Sequence, residues 1–277
     1  MEENHPRVMV GAPTSDAHDY IIDRYLKNLA NFTYPNFDIA LVDTSENEWN
    51  KIKELKFIEY LRLEPSKNVF DTLAKARNIL IDYVLNGNYE YFFMLDTDTI
   101  PPADSIERLM SYQKDIVGFL NYCGQGAAKK PIVLKSGNFV KHGKRGMDWA
   151  TQEDIDKMNG LTKVWATSVG SLLVHRKVFE AGVRFRNTPL MATGEDIWFM
   201  MEANSAGFEF WLDPYPVVHD SRIKPNAARE LCDHISKVVV EKKVTKVELS
   251  GRVKRLELII ANLVGNLKKQ GVLKDGV

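Results

Sequence analysis

Three groups of residues have types and spacing that could do chemistry. Asp96-Thr97-Asp98 places two carboxylates at the carboxyl end of the apolar run Tyr91-Phe92-Phe93-Met94-Leu95. Open α/β sheets bind ligands beyond the carboxyl ends of their strands. Mg²⁺ and Mn²⁺ prefer oxygen, usually taking one or two carboxylates plus phosphate oxygens, so the unit suits a metal-diphosphate complex. Paired carboxylates also occur in turns and helix caps; the apolar strand before this pair and Pro101-Pro102 after it favour a site. The second group, Glu195-Asp196, follows Gly194 at the start of an expected helix. The helix dipole favours acidic residues in a first turn, so a cap is the alternative, while glycine permits close ligand approach. The third is His219 in Val217-Val218-His219-Asp220, at the end of an expected strand that could lie beside that of Asp96. There it is either a metal ligand or a structural histidine.

These side chains need elements to hold them. Arg7 to Gly11 reads as a strand, Asp16 to Asn31 as a helix, Phe37 to Val42 and Phe57 to Leu63 as strands. Asp71 to Leu85 follows as a helix and Tyr89 to Leu95 as a strand, the alternation of a mostly parallel sheet. Ile39-Ala40-Leu41-Val42 and Tyr91 to Leu95 are continuously apolar, which suits strands buried on both faces under helices on both sides. A proline-opened helix from Ala103 to Tyr112 and a strand from Ile116 to Leu120 come next. Tyr122 to Gly160 reads as a loop-rich insertion near a binding face. Val164 to Thr167 and Ser168 to Val174 restore order, followed by helices at Lys177 to Ala181 and Asp196 to Ala206 and strands at Phe208 to Leu212 and Pro216 to Val218. The expected fold class is α/β, with one catalytic domain over 1–220 and a tail over 221–277.

In the tail, Leu249, Val253, Leu256, Ile260, Leu263 and Leu267 alternate spacings of four and three, as in a coiled-coil seam. A helix packed on its own domain, a homo-oligomer through 249–267, or a basic face on a membrane surface would each use this pattern.

With 37 basic and 37 acidic residues among 277, the chain has no overall charge with which to attract nucleic acid or anionic lipid. Cys123 and Cys232 form no Cys-x-x-Cys pair, which fits neither a zinc ribbon nor a disulfide framework and makes a reducing cytoplasm the expected compartment. Met1 to Pro6 carries no export signal, and no run approaches the roughly 20 apolar residues of a transmembrane helix. Peripheral membrane association stays open.

Leu95-Asp96-Thr97-Asp98-Thr99-Ile100-Pro101-Pro102, then Val169 to Phe179, then Gly194-Glu195-Asp196-Ile197-Trp198-Phe199, then Ala206-Gly207-Phe208 and His219, together resemble the GT-A-fold, family-2-like glycosyltransferases over Arg7 to Asp220. The resemblance implies a Rossmann-like GT-A domain that transfers a sugar from a nucleoside-diphosphate sugar, of UDP or GDP type, to an acceptor hydroxyl on a glycan, lipid-linked or protein acceptor. Asp98 would bind Mn²⁺ or Mg²⁺ with His219, and Asp96 would lie nearer the ribose or a metal-bound water. Pro13 and Thr14 match the loop that meets the nucleoside, Asp43 an acidic residue contacting base or ribose, and Arg77 a nucleotide-side helix. Asp196 would be the general base of an inverting reaction, with Glu195 beside it. Gly170 and Ser171 would line the sugar pocket, and Asp220 to Asn226, with Arg222 and Lys224, could form a lid. No Gln-x-x-Arg-Trp motif follows Glu195-Asp196 and no membrane spans are present, so single-sugar transfer is expected rather than processive synthesis.

A haloacid-dehalogenase-type phosphatase offers a rival use of Asp96 as nucleophile and Asp98 as acid and base. Three strands precede the motif here, where that chemistry places it after the first, and later paired aspartates for magnesium are missing. A non-catalytic GT-A module would leave Asp96, Asp98, Asp196 and His219 without a task. A sugar nucleotidyltransferase lacks its Gly-rich loop, since Gly11-Ala12-Pro13-Thr14-Ser15 has a single glycine.

Overall fold

A computed structural model describes residues 5–123, 129–137, 140–141, 144–145, 147–187 and 194–220. The expected tail seam, the remainder of the lid, and Cys232 lie outside the described residues.

Eight strands form the central sheet: β1 (Val8–Thr14), β2 (Phe37–Asp43), β3 (Ile58–Arg62), β4 (Tyr91–Leu95), β5 (Ile116–Leu120), β6 (Thr162–Val164), β7 (Ser171–His175) and β8 (Phe210–Pro216). Their spatial order is β6-β8-β5-β7-β4-β1-β2-β3. All run the same way except β7, antiparallel to both β4 and β5, and β6, antiparallel to β8. The sheet is therefore mostly parallel, as the sequence pattern predicts.

Strand alternation divides the apolar side chains between two cores. Phe92, Met94, Leu172 and Val174 face one core with Ala76, Leu80 and Val84 of helix α2 (Val69–Asn86) and Phe199 of helix α4 (Glu195–Ser205). Phe93, Leu95, Leu173 and Val10 face the other with Ile22 and Tyr25 of helix α1 (Asp19–Leu29) and Ile106 and Leu109 of helix α3 (Ser105–Ser111). Helices thus cover both faces, which is why β4 reads as a continuous apolar run. Among the described residues no helix is long and apolar enough to cross a membrane.

Three details differ from the sequence expectation. Asp16 to Asn31 is a 3-10 turn at Asp16–His18 followed by α1. Val164 to Thr167 divides at Trp165, so that Thr162–Val164 joins the main sheet while Ala166–Thr167 pairs with Val133–Ser136. The expected loop between Tyr122 and Gly160 carries short strands, including Asp148–Trp149 on the far edge of Val133–Ser136, and a helix at Gln152–Asp156 with a complete Thr151 and Asp154 capping box.

Candidate active site

At the end of β4 the chain turns sharply, with the Thr99 amide donating to the Asp96 carbonyl at 2.9 Å and the Asp96 amide donating to the Gly170 carbonyl at 3.0 Å. A Cβ on Gly170 would lie 2.9 Å from Asp96 Oδ2, so any larger residue there would push the carboxylate aside. Thr97, 1% exposed, anchors the turn from beneath. Its Oγ1 lies 2.9 Å from Nδ1 of His18 and 3.5 Å from Oγ1 of Thr14.

The short strand Val218–His219 pairs antiparallel with Thr99–Ile100, bringing His219 opposite Thr99. His219 therefore reaches the site through a separate ribbon just past the aspartates, not through a strand beside β4 as the sequence suggested. The Asp220 amide closes the ribbon by donating to the Asp98 carbonyl at 2.8 Å. His219 Nδ1 sits 2.8 Å from the carbonyl oxygen of Tyr122. A carbonyl can only accept, so Nδ1 carries a proton and Nε2 is turned to Asp98 Oδ2, 3.3 Å away. Burial works to lower His219, but its bond to Asp98 prevails and raises it to about 9. Burial likewise pushes Asp98 up, and His219 outweighs it to hold the carboxyl below its usual range.

Nε2 and Oδ2 suit a divalent cation, and a backbone carbonyl on the other imidazole nitrogen is the usual outer contact of a metal-bound histidine. Among the described residues no group of three or more His, Cys, Asp or Glu could hold a metal. Asp96 thus does not complete a three-ligand cluster with Asp98 and His219. Its oxygens are turned to Arg77 instead.

Arg77, buried on α2, places Nη2 2.9 and 3.2 Å from the two Asp96 oxygens and Nε 3.4 Å from Glu195 Oε1. The Phe185 ring supports its guanidinium at 5.5 Å. α2 packs beside α4, so Arg77 joins the strand-end carboxylate to the acidic pair. Asp196 accepts from the adjacent Ile197 amide at 2.8 Å and lines the cleft, while the cap position considered from the sequence is held by Gly194 with no side-chain cap bond. Burial is the main force raising both carboxyls, and Arg77 only partly offsets it. The cleft, about 280 Å³, gathers Arg77, Asp96, Gly170, Glu195, Asp196 and His219, with Phe70, Leu73 and Ile132 also on its wall.

The sequence profile of glycosyl transferase family 2 matches residues 17–166, more than half of the chain. The chain belongs to glycosyl transferase family 2. No curated protein matches its sequence. Among solved structures, the crystal structure of S. aureus TarS matches with a TM-score of 0.52 and 14% identity, covering 87% of this chain and 41% of that one. The crystal structure of S. aureus TarS 1–349 matches with a TM-score of 0.51 and 14% identity, covering 87% of this chain and 68% of that one. At that identity the likeness is one of fold, and this chain spans less than half of the longer TarS chain. The phosphatase alternative gains no support: Asp96 follows the fourth strand in chain order, not the first.

In this family-2 chain other expected site residues are placed differently. Asp43 is fully buried, accepting from the Ser45 amide (2.9 Å), Ser45 Oγ (2.6 Å), the Trp49 amide (2.8 Å) and Tyr60 Oη (2.7 Å). Burial alone would raise its pKa, but these donors hold it low. With both oxygens accepting from these donors, Asp43 fixes the loop after β2. Ser171 is buried, bonded to Asn121 Nδ2, and does not line the cleft, whereas Gly170 does. Pro13 and Thr14 end β1, both buried. The sequence reading missed His18, Asn121, Phe70, Leu73 and Ile132. His18 stands four residues after Thr14, and Phe70 and Leu73 precede Arg77 at helical spacing, signals that become specific only once the fold is known.

Proposed function

We propose that this protein transfers a glycosyl group from a nucleoside-diphosphate sugar of UDP or GDP type to an acceptor hydroxyl, with inversion at the anomeric carbon and with Mn²⁺ or Mg²⁺ bound. The observation that carries this reading is the union in one cleft of Asp96, Gly170 and His219 with Glu195 and Asp196. Asp98 and His219 hold the cation, which when bound offsets charge on the departing diphosphate. Asp196 takes the proton of the acceptor hydroxyl as that oxygen bonds to the anomeric carbon, and the bond to the nucleoside diphosphate breaks with its electron pair leaving on phosphate oxygen. Arg77 orients Asp96 and Glu195 on either side of this exchange. Residues 1–220 form the catalytic domain in this reading, and 221–277 a lid and helical tail open to self-association through 249–267. A cytoplasmic setting and a glycan, lipid-linked or protein acceptor remain part of the proposal.

Calorimetry with UDP and GDP, each with Mn²⁺ and with EDTA, tests it. Saturable nucleotide binding that needs the metal is expected, and is lost in Asp98→Asn. Absence of metal-dependent binding with both nucleotides would sink the reading.

A further inference from the structure

Among the described residues, apolar side chains form part of the cleft's lining. Phe70, Leu73 and Arg77 follow one face of α2, and all three line the cleft with Ile132. Phe70, Leu73 and Ile132 are half-buried, and among the described residues neither hydrophobic core includes them. Apolar side chains gathered at a polar cleft, outside any core, form a surface for a ligand. Phe70 stands beside Asp196: a Cβ on Gly194 would lie 3.5 Å from Phe70 Cε1 and 2.7 Å from Asp196 Oδ1. Glycine there keeps the space between ring and carboxylate open.

An acceptor seated in that space must offer carbon to Phe70 and hydroxyls to Asp196 and Glu195. A pyranose does both. The C–H bonds on its face, polarised by the ring oxygens, meet the electron-rich face of an aromatic ring, while its hydroxyls project from the ring edge toward carboxylates that accept. The volume of about 280 Å³ is just below the ~300–1,000 Å³ usual for small-ligand sites, which suits a compact ring.

We propose that Phe70 is the stacking platform of the acceptor subsite, and that the accepting group is a pyranose at a glycan end, not an open-chain polyol or a protein side chain. The proposal rests on reading the cleft as a glycosyltransferase site. Its test follows nucleoside-diphosphate release from UDP- and GDP-hexoses with Mn²⁺, with methyl pyranosides, ribitol or a serine-containing peptide added as acceptor probes. The full chain is compared with Phe70→Leu, which keeps apolar bulk without the ring, and with Phe70→Trp; melting curves confirm that the variants fold.

Pyranosides are expected to accelerate release while ribitol and peptide do not. Phe70→Leu should raise the pyranoside KM about 3- to 10-fold, the worth of an aromatic contact beyond its area, with kcat less affected and Phe70→Trp restoring the KM. Nucleotide dissociation constants should stay within about twofold, since an aromatic contact of that worth is lost only on the acceptor side. Equal stimulation by ribitol or peptide, or a rise in the nucleotide constant in place of the pyranoside KM, overturns the proposal. Loss of metal-dependent nucleotide binding in the unmodified protein is failure of the wider reading; intact binding with no pyranoside effect is failure of this proposal alone.

Discussion

Asp196 must lose its proton to act as a base, yet burial favours keeping it. In the proposed reaction, transfer should therefore fall as pH drops through the raised Asp196 value, at higher pH than the ~3.9 of an exposed aspartate. A rate-pH profile of kcat/KM checks this. Asp196→Asn should lower transfer by about 10²–10⁴-fold, the usual worth of general base catalysis, with nucleotide affinity within about twofold by calorimetry. The sign for stability is opposite to that of an ion-paired aspartate. A carboxyl raised by folding costs nothing below its unfolded pKa, near 4, and costs progressively more as pH climbs through its folded value. Asp196→Asn should thus melt higher than the unmodified protein at neutral pH, with the gap closing toward pH 4. Gly170→Ala offers a steric test, because its Cβ would lie 2.9 Å from Asp96 Oδ2. Overpacking of this kind costs about 1–3 kcal/mol, readable by urea unfolding, and should turn Asp96 from Arg77 and weaken nucleotide binding.

Helix α2 carries Phe70, Leu73 and Arg77 to the cleft, and it begins where Asn68 Oδ1 accepts from the Phe70 amide at 2.9 Å. Asn68→Ala should cost about 1 kcal/mol in urea unfolding, the usual worth of a side-chain cap, and loosen the turn that holds Phe70. The ribbon of Thr99–Ile100 with Val218–His219 is similarly decisive. The sequence suggested that His219 ends a strand beside that of Asp96, whereas its strand pairs with Thr99–Ile100 in a separate ribbon. Its actual partner is a two-residue strand whose signal is too short to read in a sequence.

Across the molecule, β8 is tied to α3 by Arg108, which clasps Asp213 at 2.6 and 3.0 Å while Tyr112 Oη adds a bond at 3.0 Å. Asp213 is nearly inaccessible and Arg108 about one-third exposed. Asp213→Ala removes the acceptor of Arg108 and Tyr112, and because Arg108 stays partly solvated a loss of about 1–3 kcal/mol is expected, the usual cost of a lost hydrogen-bond partner, measurable by chemical denaturation. Both described cores lie within residues 8–217. A chain ending after Ser221 should therefore keep a cooperative melting transition in calorimetry; a broad, non-cooperative melt would count against a catalytic domain bounded there.

Local pattern was enough for the α/β alternation, the buried strand β4, and the carboxylates at its end, because burial on two faces and the strand-end position leave direct marks on residue order. It also drew attention to Glu195-Asp196 and His219, which the fold brings to one cleft. Tertiary structure decided which groups meet. Arg77 lies 19 residues from Asp96 and 118 from Glu195 in sequence yet bonds to both. Asp43, an apparent ligand by position, accepts from its own loop and from Tyr60 on β3. Ser171 turns inward to Asn121 while Gly170 faces the cleft. Partnership between distant side chains depends on sheet order and helix packing, and these place Asp98 against His219 and Phe70 beside Asp196.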